Sequence, residues 1–482
     1  MRDKVKIKLV LIVLLLPGLF PGCGRSPEKD RPNLLLISVD TLRADHLGCY
    51  GYDRPTSENI DRLAEEGVLF ENAFSASPWT TPSHMSIMTG YYPRVHNVYM
   101  WGRDARGIYS GKVLSGNIPT LAEILKEHGY TNVAFTGGAN VAGKIGFARG
   151  FEIYDEDSDT DAAVEWLREN ADRRFFMFYH TYFTHSPYLP APPYDSKYDP
   201  SYSGEIPSRV ELMKEMGMEK NDLWQGLWQA LHNRYWSAVA FDDPADWYHL
   251  KALYDGSIEA VDAEFIKELI GTLRAKGVLD RTLVVFTSDH GEEFLEHGRA
   301  EHDSIYREVA QVPLILRLPG VLPAGTRVRQ LVRNIDILPT ILELLGIPPE
   351  REIQGISLMP AVTRGEALDL EVHADSNDFL PPAIESVRSG PWFLLMDQRE
   401  IRDGEPDGIK HPGFFRLFNT DEDPGETRDV RARYPEVTDR LRKRLRAQRI
   451  ESSRKFAEEA ADQEDASVGR WNVERLKALG YL

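Results

Sequence analysis

Cysteine is scarce: the 482 residues contain only Cys23 and Cys49. No disulfide can form within the chain if Cys23 is used otherwise, and Cys49 is then a lone thiol. Positive charge is short as well, with 57 lysines and arginines against 75 aspartates and glutamates, for a formal net charge of −18. Arg2, Lys4, Lys6 and Lys8 outweigh Asp3 in the first 22 residues, so the remainder is more acidic still, at −21. Such a surface repels a polyanion and excludes nucleic acid as a partner. The N-terminal apolar run Leu9–Leu16 falls short of the roughly 20 residues a membrane-spanning helix needs. There is no internal repeat and no low-complexity tract.

What is present begins with an address. "MRDKVKIKLVLIVLLLPGLFPGC" has the basic start and apolar centre of an export signal, ending at Cys23. It resembles a bacterial lipoprotein signal, which implies a signal peptide over 1–22, lipidation of Cys23 and a tether over 23–31. An uncleaved signal anchor is the alternative. Either places the body outside the cytoplasm, membrane-anchored and facing the periplasm or cell exterior.

The run Arg31–Asp40, "RPNLLLISVD", reads as a buried parallel strand that delivers Asp40 at its carboxyl end. Phe175–His180, Thr282–Glu293 and Val312–Gly320 repeat that pattern, and helical stretches such as Asn59–Glu66 and Ser257–Lys276 separate them. Strands alternating with helices predict a doubly wound, mainly parallel α/β sheet, in which ligands bind beyond the carboxyl ends of the strands. Residues 195–250 break the alternation and hold Trp224, Trp228, Trp236 and Trp247, four of the nine tryptophans. This segment is expected to be an insertion or lid whose aromatic faces stack on a sugar ring, or pack on one another. The catalytic domain is expected over 32–350, a small α+β subdomain over 351–430 and a charged helical tail over 431–482.

In "SPWTTPSHMSIMTGYYPR" (Ser77–Arg94), Pro82 suits the first position of a helix, Thr81 its N-cap and Gly90 its stop. Thr80, Ser83 and His84 then crowd a helix start whose free N–H groups favour an anion. An ordinary capped helix without chemistry fits the same window. Farther along the chain, Asp289-His290 falls at another strand end, and His180–Tyr188 and Glu296–Asp303 supply further histidines. Asp40, Asp289, His290 and one threonine hydroxyl make four ligands, a number that suits zinc and that manganese also uses.

The segments "SVDTLRADHLGCYGY", "NIDRLAEEGVLFENAF", "TTPSHMSIMTGYYPRVHNV", "HTYFTHSPYLP", "TSDHGEEFLEHG", "VPLILRLPG" and "NIDILPTILELLGI" occur in the order seen in the sulfatase family of the alkaline phosphatase superfamily. The resemblance covers about Pro32–Gly346. It implies an alkaline phosphatase-like fold with a smaller C-terminal α+β domain, and hydrolysis of a sulfate-type or phosphate-type ester. Three positions depart from the pattern. Where sulfatases carry the Cys or Ser that becomes formylglycine, in Cys-x-Pro-x-Arg or Ser-x-Pro-x-Arg, this chain has Thr80-Thr81-Pro82-Ser83-His84. Threonine is not a substrate for that oxidation. Thr80 instead resembles the nucleophile of the superfamily's phosphodiesterases and of its phosphoglycerol and phosphoethanolamine transferases. Thr41 stands where calcium sulfatases have a second aspartate, and Thr181 where two-zinc phosphodiesterases have one.

The resemblance therefore implies one divalent metal on Asp40, Thr80, Asp289 and His290, zinc or manganese before calcium. His302 aligns with a sulfate-contacting lysine, which implies anion contact or leaving-group protonation. His185 is given a similar role, and His84 a place at the rim or in the structure beside the substrate. The expected substrate is a small-molecule, glycan or lipid ester, with phosphodiesters and phosphonates favoured by Thr80. An envelope phosphotransferase and a non-catalytic binding lipoprotein are the alternatives.

Overall fold

The computed structural model describes residues 31–99, 102–103, 109–157, 160–215, 217, 228–376, 384–397, 415–463 and 465–467. The signal, Cys23, nearly all of the tether, and Trp224 lie outside the described residues, as does the side chain of Trp228. No described helix is long and apolar enough to cross a membrane.

In chain order the central sheet contains β1 (Asn33–Val39), β2 (Val68–Phe74), β3 (Thr131–Phe135), β4 (Ile153–Asp155), β5 (Phe175–Thr181), β6 (Thr282–Thr287), β7 (Gln311–Val312), β8 (Leu314–Arg317) and β9 (Thr326–Arg333). Its order is β7-β2-β8-β6-β1-β5-β3-β4, with β9 beside β2. Every residue of β1, β5 and β6 is buried, so these strands need cover on both faces. The cover includes α1 (Glu58–Glu65), α2 (Thr80–Thr89), α3 (Thr160–Asn170), α4 (Trp228–Trp236), α5 (Pro244–Ala260), α6 (Lys267–Ala275) and α7 (Ile337–Leu344).

The sheet is mixed. β1 runs parallel to β5 and β6, but β8, the centre of the expected Val312–Gly320 strand, runs antiparallel to both β6 and β2. Residues 261–266 form a π-helical stretch between α5 and α6, so the expected 257–276 helix is the second half of a longer helical run from 244 to 275.

A separate antiparallel sheet follows, β10 (Val372–Ser376), β11 (Ile384–Ser389), β12 (Trp392–Asp397) and β13 (Phe415–Asn419), paired in sequence order. The charged helix α8 (Pro435–Glu459) lays Leu441 and Leu445, one turn apart, against Val387, Leu394 and Leu417 of that sheet.

Candidate active site

Strand register builds the site. Ser38 of β1 pairs with His180 of β5 and with Thr287 of β6. Asp40 and Asp289 each lie two residues beyond that rung, at the carboxyl edge of adjacent parallel strands. Asp289 Oδ1 is anchored by the backbone N–H groups of Thr41 (3.2 Å) and His290 (2.9 Å). Its Oδ2 is buried and has no hydrogen-bond partner among the described residues; the same holds for Asp40 Oδ1. Asp40 Oδ2 lies 3.3 Å from His180 Nε2. Gly137 N–H donates to His180 Nδ1 at 3.4 Å, so Nε2 carries the proton and donates to Asp40.

Thr41 reverses the chain after Asp40 with φ +57°, a left-handed conformation that a β-branched residue adopts only when held. Its hydroxyl donates to Thr184 O at 3.0 Å, and its carbonyl accepts from Tyr254 OH at 2.7 Å. Its side chain is committed to that turn.

Helix α2 begins at Thr80, two residues earlier than the proline placement predicts. Trp79 is extended (φ −124°, ψ 142°), and its carbonyl accepts from Ser83 N–H at 3.1 Å, opening the first turn there. Pro82 still costs nothing, because N–H groups of the first turn have no intrahelical partner. Thr81 is not the N-cap: its hydroxyl donates to Asn140 O at 2.7 Å. Gly90 ends the helix at φ 71°, as expected.

His84 is fully buried rather than at the rim. Nδ1 donates to Thr80 O and Nε2 accepts from Ser38 Oγ, both at 2.9 Å. It is held neutral and supports the Thr80 backbone. Thr80 Oγ1 lies 3.5 Å from His290 Nε2.

Donor atoms of Asp40, Asp289 and His290 lie within 4.8 Å of one another. Neither carboxylate is paired with a lysine or arginine among the described residues. Burial, and then the neighbouring Asp289 charge, pushes the Asp40 carboxyl well above its usual range. Two buried carboxylates with unsatisfied oxygens fit a divalent cation. His290 fits it too, since Nδ1 donates to Gly291 O at 3.0 Å and leaves Nε2 as the lone-pair nitrogen toward Thr80. A second grouping, Asp40 with His84 and His180, is a poorer cradle, because both ring nitrogens of His84 are already bonded.

His302 lies 4.5 Å from the His290 ring, 4.9 Å from Trp79 and 5.2 Å from His185, between ring centroids. Burial lowers all three imidazoles to about 4, so each is neutral at pH 7. His302 Nδ1 pairs with Glu292 Oε1 at 2.8 Å, and Tyr188 OH donates to Glu292 Oε2. The structure thus brings Asp40, Thr80, Asp289, His290, His185 and His302 to one place.

Sequence reasoning noted His180 without giving it a role, and missed Glu292. His180 closes an apolar run as Asp40 does, and that was a usable signal. Glu292 in "DHGEE" gave none, since its partners lie 10 and 104 residues away.

The sulfatase family profile matches residues 32–347. The chain is 25% identical over 478 residues to arylsulfatase K of Bos taurus, across 87% of this chain and 82% of that protein. Among solved structures, one described as a complex with its substrate D-glucosamine-2-N,6-O-disulfate is 20% identical, with TM-score 0.69 over 90% of this chain and 99% of its own. The phosphonate monoester hydrolase of Agrobacterium radiobacter is 21% identical, with TM-score 0.66 over 88% and 96%. With fold, ordered strand-end residues and profile in agreement, the chain belongs to the sulfatase family of ester hydrolases in the alkaline phosphatase superfamily.

Proposed function

We propose that the protein transfers the phosphoryl, phosphonyl or sulfuryl group of an ester to Thr80 and then to water, and that phosphodiesters and phosphonate monoesters are its preferred class. The observation that carries this is the hydroxyl of Thr80 at the start of α2, 3.5 Å from His290 Nε2 and beside two carboxylates with unsatisfied buried oxygens. Asp40, Thr80, Asp289 and His290 are the residues that would hold one divalent ion, which supplies a lower hydroxyl pKa and neutralises charge on the transferred group. Two carboxylates, a hydroxyl and an imidazole suit zinc or manganese; calcium takes about six to eight oxygens.

In the first step Thr80 Oγ1 bonds to phosphorus or sulfur, the bond to the leaving oxygen breaks, and the threonine proton ends on that oxygen. In the second, water attacks the same centre, the bond to Thr80 breaks, and a water proton returns to Oγ1. His185 and His302, both neutral, carry these protons. A formylglycine hydrate ejects sulfate through its second hydroxyl; threonine has none, so the adduct must be opened at the transferred atom. Phosphorus supports that second in-line attack, and a phosphonate monoester hydrolase shares the fold. The glucosamine disulfate complex supports a sugar ester as the natural substrate.

The test is a panel of aryl sulfate, phosphate monoester, diester and phosphonate monoester, each with zinc, manganese and calcium. The expected result is a higher kcat/KM for the diester or phosphonate than for the sulfate under one metal. Robust aryl sulfate turnover with negligible diester and phosphonate activity contradicts it. Turnover that requires an added alcohol acceptor identifies a transferase, and metal binding without any turnover a binding lipoprotein.

A further inference from the structure

Helix α4 belongs to the Trp-rich insertion, yet it touches both loops that carry the site's histidines. Trp236 Nε1–H donates to Ser186 Oγ at 2.9 Å, and the carbonyl of that same Ser186 accepts from His185 Nδ1 at 2.7 Å. One helical turn earlier, His232 Nε2 pairs with Glu301 Oε1 at 2.9 Å, on the residue that precedes His302. Glu301 itself sits at φ +63°, a left-handed conformation that a non-glycine residue keeps only where it is held.

The circuit closes on its far side. Tyr188, two residues after Ser186, donates to Glu292, and Glu292 holds His302 Nδ1. Around the ring run Trp236, Ser186, Tyr188, Glu292, His302, Glu301 and His232, and the last returns to Trp236 through the helix. Ser186, Tyr188 and Glu292 are wholly buried, where each hydrogen bond counts for more than in water. Trp236 is braced from behind by Phe241 and Trp247, with ring centroids at 6.1 and 6.2 Å.

We infer that α4 sets the placement of His185 and His302 through this ring, which makes Trp236 and His232 positioning residues for the two proton carriers. The inference rests on the proposed hydrolysis for its meaning, though not for its test. The two imidazoles stand 5.2 Å apart and must serve one transferred group, so small displacements of either are costly to the chemical step. Opening the ring at any one link frees both loops, and cutting a second link then adds little.

The variants are Trp236→Phe, which keeps the ring and loses the N–H, His232→Ala, His232→Gln, which keeps a donor, and the double Trp236→Phe/His232→Ala. Trp247→Phe is the control: it keeps an aromatic ring behind Trp236 and loses only an indole N–H that donates to Phe241 O outside the circuit. Expected are a kcat loss of about five- to tenfold in each single variant, one hydrogen bond's worth, with KM within about twofold. The double variant should resemble the singles, His232→Gln should recover most of the loss, and Trp247→Phe should match the wild type.

A second readout needs no substrate. In protein labelled with 15N at histidine, the ring resonances of both His185 and His302 should move in His232→Ala and in Trp236→Phe, and stay in Trp247→Phe. If the wild type cleaves no ester, the proposed function fails while these resonances still decide the positioning claim. Unmoved resonances, or strictly additive kcat losses in the double variant, overturn it.

Discussion

At residue 80 the proposed chemistry asks one hydroxyl to be both the attacking group and the group later expelled, and buried polar side chains surround that residue. His84 holds the Thr80 carbonyl, His290 faces its Oγ1, and Asp40 and Asp289 present one bare oxygen each. The proposed ligand residues were legible because Asp40 and Asp289-His290 end apolar runs, which places them at one edge of a sheet. The partners that orient them were not: His180 looks like core, and the Glu292–His302 pair depends on a turn between them that no pattern specifies. Nearby Glu293 gives a pH test outside the proposed ligand set. Burial pushes it up to about 7 from an ordinary 4.5. Below both values it is protonated in folded and unfolded chains alike. Between them the folded state keeps a proton that the unfolded state has lost, so stability falls as pH rises through about 7. Glu293→Gln should therefore raise the unfolding free energy at about pH 9 by up to about 3 kcal/mol, and change it little at about pH 4. An equal gain at both pH values contradicts the assignment.

At the scale of elements, the start of α2 shows where pattern reasoning stops. Proline and glycine correctly announced a helix and its end, but the first turn is set by the Trp79 carbonyl and by tertiary anchors. Ser83 Oγ donates to Asp289 O at 2.7 Å, and Asn334 Nδ2 donates to Ser83 Oγ at 3.0 Å. Asn334 Oδ1 also accepts from Ala76 N–H at 3.2 Å, tying the segment after β2 to the helix that carries Thr80. Asn334→Ala leaves those buried groups short of a partner and should cost about 1–3 kcal/mol in urea unfolding. A loss below about 0.5 kcal/mol would mean that the anchor lies elsewhere. Strand direction was equally hidden: an apolar run shows that β8 is buried, while its antiparallel course follows from the 288–310 connection that returns the chain from the carboxyl end of β6. The π-helical stretch at 261–266 likewise has no signature in composition.

At the scale of the molecule, the doubly wound sheet and the C-terminal antiparallel sheet follow from the order of apolar runs, and the carboxyl edge of the sheet gathers the site. Within the aromatic insertion Trp247 packs on Trp236 and Phe241, and Trp236 also hydrogen-bonds to the loop of His185. The expected N-terminal signal gives a prediction at this scale. Lipid on Cys23 would tether the enzyme to a membrane, so Cys23→Ser should move it to the soluble periplasmic fraction, and continued sedimentation with membranes would point to an uncleaved anchor. The central claim is that Thr80 takes the transferred group, and the most direct measurement is peptide mass mapping of enzyme quenched during turnover of an aryl phosphonate monoester. The account predicts the phosphonyl group on Thr80, and no adduct and no turnover in Thr80→Ala that still binds metal. An adduct on another residue, or Thr80→Ala turning over at the wild-type rate, would contradict it.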